Sequence, residues 1–243
     1  MGEKDMGEKG VTLIVGVGAG LGAALARCFA GAGMDVAVAA RDGARLEPLA
    51  GDLDNRGVRG RAYACDVSRE DDVRDLFARV SSDLAEPDIV VFNAGAFVRK
   101  GILETGSAEF ERCWRIGCLG GFHVGKAAAE IMVRRGRGTL LFTGATASLR
   151  GGTNFHNLAV PKFGLRALAQ SMARELGPRG VHVAHVIIDG QILSERTAGL
   201  ATKRPEDGLL APDAIAQNYL ALHRQPRSAW THEMDLRPWV ETF

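Results

Sequence analysis

The segment Val11 to Gly22, read VTLIVGVGAGLG, limits what this chain can fold into more than any other. A short β-branched and apolar run of the kind that makes a buried strand leads into glycines at 16, 18, 20 and 22, where a helix should start. Glycine removes side chains where backbone must approach a pyrophosphate. The helix expected over Ala23 to Phe29 adds free N–H groups and partial positive charge at its amino end. Tight turns are also glycine-rich without any ligand, but the place of this one, directly between strand and helix, favours a dinucleotide-binding turn.

Beyond that turn the chain alternates strand-like and helix-like segments. Strands are expected over Asp35 to Ala40, Arg61 to Cys65, Asp88 to Phe92, Thr139 to Thr143, Val181 to Ile188 and His232 to Leu236. Helices are expected over Gly43 to Leu53, Ala108 to Arg135, Phe155 to Leu176 and Pro212 to His223. A further helix, running to about Leu84, should be capped by Ser68 with Asp71 completing a capping box. Near-continuous apolar strands separated by helices imply an α/β fold, a Rossmann-like doubly wound parallel sheet with helices on both faces. At 243 residues the chain suits one domain, expected over residues 11–243 behind a flexible tail, residues 1–10. The stretch Gln191 to Leu210 is polar and irregular.

Charge and cysteine usage narrow the partners. Thirty Lys and Arg against 29 Asp and Glu leave a formal charge of +1, which argues for small-molecule partners and against nucleic acid or an anionic membrane surface. Cys28, Cys65, Cys113 and Cys118 show no paired spacing and fall in expected helices and strands, so reduced structural thiols are expected and no metal site. No apolar run is read as long enough to span a bilayer, and the opening MGEKDMGEKG is too polar for a secretion signal, which points to a cytoplasmic protein. Arg134, Arg135 and Arg137 are charges favourable at a helix carboxyl end.

Ligands of such sheets lie beyond the carboxyl ends of the strands, so those ends are where chemistry is to be sought. The second strand ends at Ala40-Arg41. An acidic residue there would bind a ribose 2'-hydroxyl, whereas alanine followed by arginine leaves room and a charged fork for a 2'-phosphate. NADP(H) is therefore favoured over NAD(H), the plainer alternative being that Arg41 is a solvated side chain opening a helix.

The pattern Gly16-xxx-Gly20-Leu21-Gly22, then Asp66-Val67 after the third strand and Asn93-Ala94-Gly95 after the fourth, resembles the short-chain dehydrogenase/reductase family over nearly the whole chain. The resemblance implies that the glycine turn, including Gly18, takes the pyrophosphate. It also implies that Asp66 and Val67 hold the adenine and that Asn93, Ala94 and Gly95 pack beside the adenosine ribose. The residues suit those roles: Asp66 can accept from an exocyclic amine, and small residues at 94 and 95 let a flat ligand lie on backbone. Asn93 would serve equally as a polar cap ending a strand. The resemblance also implies a substrate lid over Gln191 to Leu210, in which Ile192 and Ser194 meet the carboxamide and phosphate. The family's dimers and tetramers imply a homodimer or homotetramer built on the two long helices.

The catalytic positions depart from the family's pattern. Members usually carry Tyr-xxx-Lys on the helix after the fifth strand, the lysine gripping the nicotinamide ribose and lowering the tyrosine pKa. Here the segment is Leu158-Ala159-Val160-Pro161-Lys162: the lysine is present and the tyrosine is leucine. A longer spacing used by a related reductase group selects Phe155, again without a phenol, and Tyr63 and Tyr219 lie elsewhere. The family's serine corresponds to Ala145 and its relay asparagine to Gly117. Gly117, Gly120 and Gly121 weaken their helix and predict a close approach by the cofactor side or a partner helix.

Losing an oxyanion partner and a proton donor should each slow carbonyl reduction on the order of a hundredfold or more. Two functions remain open. One is an oxidoreductase acting on an activated double bond or an unusual carbonyl, with Lys162 aided by His156, Thr146 or Asp189; the other is a silent NADP(H)-binding sensor or assembly subunit with no substrate. His156 reads better as a surface histidine, and Asp189, in the Asp189-Gly190 that stands where the family has Pro-Gly, reads better as a turn residue than as an acid or base.

Overall fold

Strands form where the β-branched runs predict them. β1 (Val11–Val15), β2 (Asp35–Ala40), β3 (Gly60–Ala64), β4 (Ile89–Phe92), β5 (Gly138–Thr143), β6 (Val181–Ile188) and β7 (Glu233–Leu236) make one sheet in a computed structural model describing residues 10–241. Every pairing is parallel, and the spatial order is β3-β2-β1-β4-β5-β6-β7. The winding direction therefore reverses between β1 and β4, opening a crevice beyond their carboxyl ends. Of the expected tail, residues 1–9 lie outside the described residues. The carbonyl of Gly10 already accepts the Asp35 N–H.

Both faces of the sheet are apolar, and strand alternation divides them cleanly. Leu13, Val15, Val90, Phe92, Leu140 and Phe142 point to a core covered by α3 (Glu70–Asp83), α5 (Gly120–Arg135) and α6 (His156–Leu176). Ile14, Val36, Val38, Val91, Leu141 and Val186 point the other way, beneath α1 (Leu21–Gly31), α2 (Glu47–Asp54) and α7 (Pro212–His223). The helix after the glycine turn is anchored by Leu25 and Phe29, both fully buried, worth about 1.5–3 kcal/mol each in apolar transfer.

Several local expectations are corrected. The Ser68–Asp71 capping box does not form: the Ser68 hydroxyl donates to Asp66 Oδ1 at 2.7 Å, and α3 starts behind Arg69 without a side-chain cap. Glu70, Asp71 and Asp72 in its first turn supply the favourable charge instead. The helix expected from Gly43 opens with a 3-10 turn, Ala44–Leu46, before α2. Cys65 lies just past β3, and all four thiols are free.

The long helix expected over Ala108 to Arg135 is three pieces: α4 (Ser107–Trp114), a π turn at Arg115–Leu119, and α5. Its glycines are approached from within the chain. A Cβ on Gly117 would lie 3.0 Å from Pro161 Cβ, and one on Gly121 would overlap Leu165, both residues of α6. Taken as one run, Ser107–Arg135 is long and apolar enough to cross a membrane by length and composition, contrary to the expectation of no such run. Yet 44% of its apolar window is buried in this structure, with Val124, Ala128 and Met132 in the core.

Candidate active site

The glycine turn performs two separable tasks. Gly16 has φ +93°, and a Cβ there would overlap the backbone of Ala94; one on Gly22 would lie 2.8 Å from Val17 Cα. These two glycines are required by the protein's own packing. Gly18, Gly20 and Gly95 have no atom within 4 Å of where a Cβ would stand, so they face open space. Leu21 opens α1 and is buried, with Gly20 as the residue ahead of the helix. Asn93 ties the switch point together: its N–H donates to Val15 O and its side-chain amide to Gly16 O, at 2.8 and 2.9 Å.

A cleft of about 290 Å³ lies over this seam, lined by Gly16, Gly18, Asp66, Val67, Asn93, Ala94 and Gly95. It is a bare backbone cradle beside a helix amino end, which fits a flat nucleotide and its pyrophosphate. Asp66 Oδ1 is already engaged, accepting the Ser68 N–H and hydroxyl. The Val67 carbonyl meets His123 Nδ1 at 2.9 Å. Arg41 and Ala40 border this cleft and also a larger one of about 1030 Å³ that holds Arg27, Arg45 and Arg56. Arg27 and Arg56 share Asp52 as their ion-pair partner, whereas Arg41 and Arg45 have no ion pair among the described residues. Arg45 escaped the sequence reading; it lies in the 3-10 turn Ala44–Leu46, four residues after Arg41.

At the other end of the crevice stands Lys162. It is buried, and its Nζ donates to the Thr143 carbonyl at 2.6 Å at the end of β5. Burial pushes its pKa down to about 8. Neither tyrosine is near a free position: the Tyr63 hydroxyl bonds Asp83, and Tyr219 is fully buried against Thr143 Oγ1 in the core layer opposite α6. Asn154, at φ +67°, turns the chain so that Phe155 precedes α6. Phe155, Leu158 and Lys162 then follow at helical spacing on one side of it.

The candidate polar aids are turned inward. Thr146 donates its hydroxyl to Asp189 Oδ1 at 2.6 Å, and Asp189 is buried with Arg237 Nη2 at 3.5 Å from its other oxygen. Asp189 is thus a buried ion-pair partner, not merely a turn residue. His156 is half-buried, with Nε2 2.9 Å from Thr105 Oγ1, so it braces the loop after β4 instead of standing free at the surface. In the lid, Ile192 pairs with Leu210 to close the base. The Ser194 N–H donates to Thr197 Oγ1, which in turn donates to the Ile192 carbonyl.

A buried polar chain beneath this end was not legible from spacing. Ser148 Oγ accepts the Ala145 N–H at 3.1 Å and lies 3.5 Å from His185 Nε2. His185 Nδ1 faces Glu233, which Arg166 holds by two hydrogen bonds of 2.6 and 2.7 Å. Burial pushes the His185 pKa down to about 4, so the ring is neutral, and Arg166 lowers that of Glu233. These groups come from β6, β7 and α6, distant in sequence; only the sheet order makes them neighbours. They fix the Gly144–Ala145 turn, against which His185 is packed so closely that a Cβ on Gly144 would lie 2.5 Å from it.

The comparisons agree with this architecture. The family model described as short chain dehydrogenase matches residues 10–204. A short-chain dehydrogenase/reductase of Armillaria gallica is 32% identical over 177 residues, covering 71% of this chain and 67% of the relative. Among solved structures, a short-chain dehydrogenase from Rhodopseudomonas palustris is 40% identical with a TM-score of 0.81, covering 94% of this chain and 99% of its own. An alcohol dehydrogenase from the archaeon Thermococcus sibiricus, complexed with 5-hydroxy-NADP, is 27% identical with a TM-score of 0.85, covering 97% and 99%. With its crevice at the β1/β4 reversal and its match over most of its length, this chain belongs to the short-chain dehydrogenase family of oxidoreductases.

Proposed function

We propose that this protein is an NADP(H)-dependent oxidoreductase acting on an activated double bond or an unusual carbonyl, without the family's serine and tyrosine. The observation that carries this reading is the buried Lys162 on the face of α6 where Leu158 leaves no phenol. NADPH, when bound, supplies hydride. The chain's own groups then have limited work: Lys162 grips the nicotinamide ribose and places positive charge nearby, while Ala145 and Leu158 offer no hydrogen bond to a substrate oxygen. An acceptor such as an enone or a cationic imine suits that site, because solvent can deliver the proton after hydride arrives. Gly18, Gly20, Gly22, Leu21 and Gly16 frame the pyrophosphate, Asp66 and Val67 the adenine, and Asn93 to Gly95 the ribose. Ile192 and Ser194 serve as lid contacts once Thr197 releases them. Thr146 and Asp189 act as a buried brace.

Steady NADPH consumption with a member of a panel of enones, imines, quinones and ketones is the expected result. Tight cofactor binding without turnover across the panel would leave the alternative, a silent sensor or assembly subunit. The preference for NADP(H) rests on Arg41, joined by Arg45. Arg41→Ala is expected to weaken NADPH roughly tenfold or more while leaving NADH unchanged, since a charge-assisted contact to phosphate is worth about 1.5–3 kcal/mol. An unchanged ratio of the two dissociation constants, measured by fluorescence titration, would remove that role.

A homodimer or homotetramer through α5 and α6 completes the proposal. Phe122 and Phe163 stand 45% and 43% exposed, and a groove of about 670 Å³ along these helices is lined by Val133, Leu168 and Met172. The four free thiols are in keeping with a reducing, cytoplasmic setting.

A further inference from the structure

The loop after β4 lays its side chains against the head of α6. Phe97 and Phe155 stack with ring centroids 4.9 Å apart, and the Arg99 guanidinium lies over the Phe155 ring at 5.3 Å. Phe155 is the residue at the head of α6, on the side that carries Leu158 and Lys162. The loop is held to α6 on both sides of Arg99. Asn157 donates to the Val98 carbonyl at 3.0 Å, and His156 meets Thr105 Oγ1 at 2.9 Å.

The charges here are unequal. Lys100 is neutralised by Glu109, with Nζ 3.0 and 3.2 Å from its two oxygens. Arg99, its neighbour, has no carboxylate partner among the described residues and is exposed. A guanidinium laid on an aromatic face keeps its N–H edge free, so it presents a planar fork without losing the freedom a solvated arginine would have to give up. Phe97 is 41% exposed, leaving an apolar wall uncovered beside that fork.

Resting on the oxidoreductase reading, we infer that Arg99, with Phe97 and Phe155, forms the substrate-selecting subsite: it takes the carboxylate of a flat, apolar acceptor. The aromatic wall holds the acceptor's plane, and the guanidinium pairs with its anionic end. The stacked arginine is a binding residue and takes no part in proton transfer.

The test compares benzalacetone with its 4-carboxy analogue, each titrated by calorimetry into the protein saturated with NADP+, a measurement that needs no turnover. The carboxylated compound is expected to bind at least tenfold tighter. Arg99→Gln is expected to erase that difference, bringing the two affinities to within about twofold of each other, while Arg99→Lys keeps only part of it. Equal affinities in the wild type, or a preference that survives Arg99→Gln, would overturn the inference. If no member of the acceptor panel consumes NADPH although the affinities differ as expected, the oxidoreductase reading fails and the anion subsite stands. Arg99 is exposed, so an unchanged melting temperature of Arg99→Gln is the check that the fold is intact.

Discussion

Gly16→Ala and Gly18→Ala are expected to fail in opposite ways. At Gly16 the backbone has φ +93°, which alanine adopts only with strain, and the new methyl would overlap the backbone of Ala94. Strain and overpacking of this kind each cost about 1–3 kcal/mol, so the variant is expected to lose roughly 3 kcal/mol or more. In a protein of this size that lowers the melting temperature by about 6–12 °C. At Gly18 no atom lies within 4 Å of the added carbon, so stability is expected to stay within about 0.5 kcal/mol. Its methyl instead occupies the space proposed for the pyrophosphate, and NADPH affinity is expected to fall tenfold or more. Calorimetric melting and cofactor titration of the two variants check both arms. A Gly18→Ala protein that binds NADPH normally would place the pyrophosphate elsewhere.

The second large effect concerns Lys162. Lys162→Met is expected to lower kcat/KM for any acceptor that is turned over by at least about a hundredfold, since it removes the positive charge proposed to grip the nicotinamide ribose. The pH dependence follows from burial. With its pKa pushed down to about 8, the lysine is a cation below that value, and activity that needs the cation falls about tenfold per pH unit above it. Stability runs the other way. Between about pH 8 and the ordinary lysine value the unfolded chain binds the proton and the folded chain does not, so wild-type stability rises with pH through that window. At pH 7 the buried charge costs about 3 kcal/mol, and Lys162→Met is expected to recover much of it. A variant that is more stable yet inactive would mark Lys162 as a residue held for function at the expense of the fold. One that is equally stable and active would count against its role.

The sheet was legible because its strands are continuous apolar runs, whereas the strand order that places the reversal between β1 and β4 is set by pairing and not by any local pattern. Arg41 could be read because position after a strand is a local property. What could not be read depends on neighbours set by sheet order. The path from Ser148 through His185 to Glu233 and Arg166 joins β6, β7 and α6, and no spacing announces it. Asp189 was misjudged for the same reason: its partners Thr146 and Arg237 lie 43 and 48 residues away. The Ser68 capping box failed because Asp66, two residues earlier, offered its hydroxyl a nearer acceptor.

The contact between Gly117 and Pro161 bears on how readily such a site could be rewritten. Gly117 sits in the π turn, and Pro161, inside α6, directly precedes Lys162. A side chain at 117 would begin 3.0 Å from the Pro161 ring, which is too stiff to move aside. An asparagine at that position would press on the ring, so the two helices would have to part by a few tenths of an ångström to admit it. The two positions are therefore coupled: a proton relay is installed here most cheaply by changing both together, because a lone substitution at 117 carries a packing penalty that a smaller residue at 161 would relieve.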